Sequence, residues 1–244
     1  MIITQTPLRI SFLGGGTDFP AFYQQEEGCV VSSAIDKYIY VIVKERFDSM
    51  IYVNYSRKEI VSSIDELEHE LVREGMRLTD VREGVELTTL ADVPSEGTGL
   101  GSSSAVTVGL LHALYTYRGQ IRPAESLATE ACRIELDTLG KPIGKQDQYI
   151  TALGGLQMLT FRHNGTVTAV PLVLPDDGAW TLQQRLLLFY TNRTRQATSI
   201  LAEQEANIPS RLGELRALRD LAKAGRDALL AGRHDEFGAL LDEG

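Results

Sequence analysis

Two cysteines and four histidines are few for 244 residues, and their spacing closes off several chemistries. Cys29 and Cys132 form no C-x-x-C pair, and His69, His112, His163 and His234 form no H-E-x-x-H pattern, so neither a zinc site nor a disulfide framework is expected. The cysteines read as two buried thiols of a reducing compartment. No apolar run approaches the ~20 residues of a membrane span, and Met1-Ile2-Ile3-Thr4 lacks the basic start of a secretory leader, which points to a soluble, cytoplasmic protein. Positive charge is short too. The 24 Lys and Arg against 33 Asp and Glu leave a net charge of −9, which argues against a nucleic-acid binder held by bulk charge. Any anionic ligand must be gripped locally.

The stretch best suited to that grip is Pro94-Ser95-Glu96-Gly97-Thr98-Gly99-Leu100-Gly101-Ser102-Ser103-Ser104-Ala105, followed by an apolar run over residues 106–117. Gly97, Gly99 and Gly101 remove side chains at alternate positions, which permits positive φ and brings a ligand close to the backbone amides. Ser102, Ser103 and Ser104 then open a helix whose first N–H groups lack intrahelical partners and whose dipole favours an anion. A Walker A loop would need lysine after its last glycine, where Ser102 stands. A dinucleotide fingerprint would need its third glycine at 102, and Glu125 is unconvincing as the acid roughly 20 positions on. Two readings remain: a phosphate cradle, or an ordinary glycine-rich turn with a capping serine.

Residues 6–13 and 29–44 are rich in β-branched and aromatic residues and read as strands of one sheet. Between them Gly14-Gly15-Gly16-Thr17-Asp18 reads either as a ligand wall with Asp18 pointing into it, or as a hairpin tip with a turn aspartate. Residues 65–78 have nearly helical apolar spacing and 85–90 alternate like a strand that delivers the chain to the glycine loop. Pro123 opens a helix over 124–139 that carries Glu135. Gly140-Lys141-Pro142-Ile143-Gly144 breaks it, and Asp147 falls in the first turn of the next helix. Glu135 and Asp147 are thereby two carboxylates that could face one phosphate-bearing ligand, although each alone also reads as an ordinary helix acid. Downstream, strands at 156–161 and 166–174 flank Asn164-Gly165, a hairpin signal. Residues 175–178 suit a domain boundary, 182–190 read as a buried strand, and 196–206 and 210–243 as helices, the last weakened by Gly213, Gly225, Gly232 and Gly238. No internal repeat or low-complexity segment is evident.

The segments 9–18, 94–105 and 135–148, in that order, resemble the two signature motifs and the catalytic-acid segment of the GHMP small-molecule kinases. The wording T-P-L-R-I-S-F-L-G-G-G-T-D-F near the start and T-N-R-T-R-Q-A-T-S-I-L-A-E-Q at 191–204 is similar to the sugar 1-kinase branch, and the resemblance covers nearly the whole chain. It implies a two-domain α+β fold: residues 1–175 as an N-terminal ATP- and sugar-binding domain with a mixed or antiparallel sheet, and 176–244 as a partial C-terminal domain. Pro94, Gly97, Gly99, Leu100, Gly101, Ser102, Ser103 and Ser104 would hold ATP, with Ser103 and Glu135 on Mg²⁺. Asp147 would accept the proton of the attacking hydroxyl and Arg9 would help set the charge of the site. Gly15, Gly16, Thr17 and Asp18 would hold the sugar. A phosphate on the substrate would fall to Arg195, with Arg193, Lys141 and Lys145 as the other cations near the motifs. The implied reaction is phosphorylation of the anomeric hydroxyl of a sugar phosphate such as a heptose 7-phosphate, in a protein that could form a homodimer. Asn192 stands where the branch commonly has glycine. Nothing after Gly178 resembles the family's third, glycine-rich motif, and members run longer, so the alternative is an inactive nucleotide- or sugar-binding relative, or a fragment.

Overall fold

Glu59 illustrates how the local sequence decides where an element starts: its carboxylate accepts the amides of Glu68 (2.6 Å) and His69 (3.1 Å), so the helix expected from residue 65 cannot begin until Glu70. A single 3₁₀ turn at Ile64–Glu66 fills the gap. The computed structural model describes residues 1–94, 98–189 and 197–244, the side chains of 197–200 excepted. Its strands are β1 (Ile2–Leu13), β2 (Gly28–Glu45), β3 (Ile51–Asn54), β4 (Lys58–Val61), β5 (Val85–Ala91), β6 (Leu156–Phe161) and β7 (Val167–Pro171). The helices are α1 (Pro20–Tyr23), α2 (Glu70–Thr79), α3 (Ser102–Tyr117), α4 (Ala124–Cys132), α5 (Gln146–Leu153), α6 (Gly178–Arg185), α7 (Ala197–Asn207), α8 (Leu212–Leu230) and α9 (His234–Glu243). Among the described residues no helix is long and apolar enough to cross a membrane. The mixed α+β class matches the expectation.

Contacts divide the chain into two compact units. One comprises residues 1–8, 35–141 and 147–153; the other comprises 9–34, 142–146 and 154–244, so the boundary expected at 175–178 falls inside the second. In the first unit β2 pairs antiparallel with β5, with Val41 opposite Thr89, β5 pairs parallel with β3, and β3 pairs antiparallel with β4. Helix α3 is apolar on nearly every side and is buried accordingly. Ala105, Leu110, Ala113 and Leu114 pack with sheet residues Val41, Val43 and Leu87, while Val108, Leu111 and Tyr115 pack with Leu71 of α2 and Leu127 of α4. Gly109 permits the close approach to β1. A Cβ there would lie 2.6 Å from Thr6 Oγ1, and Thr4 Oγ1 donates to the Gly109 carbonyl at 2.9 Å. This seats the middle of α3 against β1.

In the second unit the first half of β2 pairs antiparallel with β6, with Val31 opposite Met158, and β6 with β7 across the Asn164-Gly165 turn, where Gly165 has φ 79°. The core of Leu13, Val31, Met158, Leu229 and Phe237 is covered by α8 and α9. Gly225, expected to weaken the last helix, lets it pack: a Cβ would sit 2.4 Å from Leu13 Cδ1. The strand expected at 182–190 is not found. Helix α6 runs to Arg185, only Leu182 points inward, and Leu186, Leu187, Leu188 and Phe189 follow without regular structure at 37, 80, 65 and 77% exposure. Short apolar runs do not distinguish strand from helix, and among the described residues no strand pairs with this one.

Candidate active site

The α3 N-terminus is built from glycine backbone. Gly99 (φ 70°) and Gly101 (φ 75°, ψ 24°) are both left-handed, and Gly101 is the N-cap with no side chain capping it. The amides of Ser102, Ser103 and Ser104 open the helix, whose first internal bond runs from Ala105 N to Gly101 O (3.0 Å). Among the described residues, nothing lies within 4 Å of where a Cβ on Gly99 would stand. Leu100 packs on the core and anchors the loop, and Pro94 is exposed at its start. Thr98 Oγ1 and Ser102 Oγ lie 3.4 Å apart, and Gly97 lies outside the described residues. The first-turn amides, to which the N-cap glycine brings no side chain, and the positive end of a 16-residue helix suit an anion.

Beneath that turn lies Glu135, fully buried. It sits in a π-helical stretch, Arg133–Thr138, which interrupts the single helix expected over 124–139; such widened turns recur at functional sites. Glu135 Oε1 accepts from Ser103 Oγ (3.0 Å) and Thr107 Oγ1 (3.2 Å), while Oε2 accepts from Ser104 Oγ (2.8 Å) and Gln148 Nε2 (2.6 Å). All its donors are neutral. A carboxylate has about four lone-pair positions, so the set is filled by protein alone. Ser103 is exposed, whereas Ser104 and Gln148 are buried. Ser103 Oγ, on the exposed side, can turn its proton away from Glu135, which frees a lone-pair position on Oε1 and presents its own oxygen, so Ser103 and Glu135 fit a hard metal ion that shares a ligand's phosphate oxygens. No cluster of three or more His, Cys, Asp or Glu residues occurs among the described residues, so such an ion would need the nucleotide to complete its shell.

The Gly14–Asp18 turn is tied to the chain's own backbone. Thr17, fully buried, bridges Gly14 O (2.8 Å) and the N and O of Cys29 (3.0 Å each) through its hydroxyl. The close approach at Gly14 comes from the Cys29 carbonyl, 2.0 Å from where a Cβ would be. At Gly16 (φ 91°) it comes from Gln204 and Leu215, while a Cβ at Gly15 would, among the described residues, have Ser11 Oγ nearest, at 3.9 Å. Asp18 is 1% exposed; its Oδ1 accepts from Gly16 N (3.1 Å) and its Oδ2 from Gln146 N (3.2 Å), and its carbonyl accepts from Lys145 N (3.2 Å). Gly144 is required for this, since a Cβ there would stand 1.8 Å from Asp18 Oδ2. Asp18 therefore fastens the segment that enters α5.

Asp147 lies in the first turn of α5, partly buried, and its carbonyl accepts from Thr151 Oγ1 (2.7 Å). Arg9 lies on β1, partly buried. Of the cations near the motifs, Lys141 pairs with Glu70 (2.9 Å), and Lys145 donates to Gly165 O (2.8 Å) over the Tyr23 ring; Arg193 and Arg195 lie outside the described residues. Sequence reasoning missed Thr107, Gln148 and Gly144. Thr107 lies one turn beyond Ser103 and Ser104, and Gln148 directly follows Asp147, spacings that carried a signal. Cys29 and Cys132 are free and buried, and burial pushes the Cys29 thiol up to about 11.

A glycine-capped helix mouth with an acid beneath it, and a second acid opening the helix after, suit phosphoryl transfer to a small molecule. The chain belongs to the GHMP kinase family: residues 60–155 match the family's GHMP kinases N terminal domain. It is 31% identical over 243 residues to the D-glycero-alpha-D-manno-heptose 7-phosphate kinase of Campylobacter jejuni, covering 93% of this chain and 69% of that protein. It is 29% identical to the L-fucokinase/L-fucose-1-P guanylyltransferase of Bacteroides fragilis, over 97% of this chain and 29% of that longer protein. Among solved structures, a D-glycero-D-manno-heptose 1-phosphate kinase from Bacteroides thetaiotaomicron superposes with a TM-score of 0.84 over 98% of this chain and 76% of that one, at 24% identity. The phosphomevalonate kinase of Streptococcus pneumoniae gives 0.80 at 14% identity, over 99% and 78%. At these identities the structural matches speak to the fold alone.

Proposed function

We propose that this protein is an ATP-dependent sugar kinase acting on the anomeric hydroxyl of a heptose 7-phosphate or a closely related sugar. The observation that carries the reading is the buried Glu135 carboxylate bound by hydroxyls of the first turn of α3, directly under amides that a nucleotide phosphate would occupy. The 31% identity to a heptose 7-phosphate kinase supports the substrate class. Amides of residues 102–104 receive the phosphates. Mg²⁺, when bound, supplies neutralisation of phosphate charge, and Ser103 and Glu135 would hold it. Asp147 orients the attacking hydroxyl and takes its proton; because phosphoryl transfer asks mainly for positioning and charge neutralisation, a weak base suffices. Arg9 adds positive charge to the site. Asp18, whose carboxylate oxygens accept amide hydrogens, contributes by holding the entry to α5. The substrate's own phosphate is assigned to Arg195.

The test is coupled ADP release over a panel of heptose, hexose and deoxyhexose sugars with and without a phosphate. Asp147→Asn should lower kcat on the preferred sugar by about 10²-fold or more while the variant stays folded. Equal turnover by both proteins would reject the assignment of Asp147. Stabilisation by nucleotide with no turnover on any sugar would reject the kinase reading in favour of a binding protein.

A further inference from the structure

The four donors around Glu135 are not equivalent. Oε1 takes hydrogens from Ser103, which is exposed, and from Thr107, whose single proton is shared with the Ser103 carbonyl at 3.1 Å. Oε2 takes hydrogens from two buried groups, Ser104 at 3% exposure and Gln148 at 0%. The carboxylate thus has a loosely held oxygen on the open side and a firmly held one inside. Hydroxyls can rotate to donate or accept, but an amide NH₂ only donates. Flipping Gln148 would set its carbonyl against Oε2 at the 2.6 Å now bridged by hydrogen, so the two side chains fix each other. The Gln148 Oε1 is buried with no hydrogen-bond partner among the described residues. A glutamine kept as filler would be a costly choice there, because a buried polar atom without a partner opposes folding.

From this asymmetry we infer that Gln148 is a positioning residue that anchors Glu135 through Oε2, so that Oε1 is presented to a nucleotide-bound divalent cation without the carboxylate swinging. The inference rests on the kinase reading above. When Ser103 turns its hydroxyl toward a cation, Oε1 is released while the bond to Gln148 keeps the carboxylate plane in place. Gln148 itself touches neither nucleotide nor cation.

The experiment is titration calorimetry of ADP in the presence of Mg²⁺ and in its absence, on wild type and Gln148→Met, which keeps the volume and removes the donor. Metal-free ADP affinity should stay within about twofold, while the gain from Mg²⁺ should shrink by about 10-fold or more, the usual effect of removing an outer-shell partner of a metal ligand. On the preferred sugar, kcat should fall with the sugar KM unchanged. If Gln148→Met melts below the assay temperature, Gln148→Asn is read the same way, because it keeps the amide but stops one methylene short of Oε2. An undiminished Mg²⁺ gain overturns the inference alone. Failure of the wild type to bind ADP overturns the kinase reading and the inference together.

Discussion

Glu135 offers a separation of stability from activity that can be worked out from its four hydrogen bonds. In Glu135→Gln the new amide can set its oxygen toward Gln148 and Ser104 and its NH₂ toward Ser103 and Thr107, whose hydroxyls turn to accept. Bonds to a charged group contribute about 1.5–3 kcal/mol and neutral ones about 0.5–1.5, so four bonds lose roughly 4 kcal/mol together. Relief from burying a carboxylate with only neutral donors returns several kcal/mol, leaving a net change within about 2 kcal/mol. For a chain of this length that moves Tm by less than about 8 °C. Glu135→Ala is different. Gln148 Nε2 and the Ser104 hydroxyl are left buried without an acceptor at about 1–3 kcal/mol each, so a loss near 4 kcal/mol and a Tm drop of about 8–16 °C are expected. Turnover in both variants should fall by about 10²-fold or more, since the negative charge is gone. Calorimetric melting beside coupled ADP release measures both quantities. A Glu135→Gln protein as unstable as Glu135→Ala, or one with wild-type turnover, would refute the reasoning.

Gly144→Ala should destabilise by about 3 kcal/mol or more, because a Cβ 1.8 Å from Asp18 Oδ2 must displace a carboxylate that receives the Gly16 and Gln146 amides; the urea midpoint reads it. His69 accepts the Val72 amide on Nδ1 as the N-cap of α2, and burial holds its pKa below the usual 6.5. With the folded value below the unfolded one, the unfolded state binds the extra proton first, so stability should be flat above about pH 7 and decline as pH falls from there toward 5. His69→Asn, a cap that does not titrate, should remove that limb in thermal melts at stepped pH, whereas an unchanged limb would assign it elsewhere. Carboxylates held low by cations, such as Glu86 beside Lys44 and Asp48 beside Arg46, lose their contribution only at more acid pH.

The elements that were legible share a reason: their signals were local. Strand β6, the Asn164-Gly165 hairpin, α3 from Ser102 and the break before Asp147 each follow from short-range patterning or turn chemistry. The motif order 9–18, 94–105 and 135–148 gave the family. Less legible was what the motif residues do for one another. The Ser104 hydroxyl donates to Glu135, the Thr17 hydroxyl donates to the Gly14 carbonyl, and an Asp18 carboxylate oxygen accepts the Gln146 amide, bonds additional to the phosphate- and sugar-holding roles the motifs imply. The Ser104–Glu135 and Asp18–Gln146 bonds join residues 31 and 128 positions apart, and no local pattern encodes them. The late start of α2 and the π turn at Glu135 have the same origin, since tertiary partners overrode helical spacing. The 182–190 misreading came from a run whose hydrophobicity fits either a strand or a helix.

Leu186 to Phe189 carry a consequence for how the polypeptide behaves in a tube. Leu187, Leu188 and Phe189 sit largely in water on a molecule whose net charge is −9, so two opposed forces govern encounters between copies. At about 0.01 M salt the repulsion reaches some 30 Å and keeps molecules apart, but near 0.15 M it is confined to about 8 Å, and the sticky run decides what happens on collision. Dilute buffer, not physiological saline, is the kinder home for this protein.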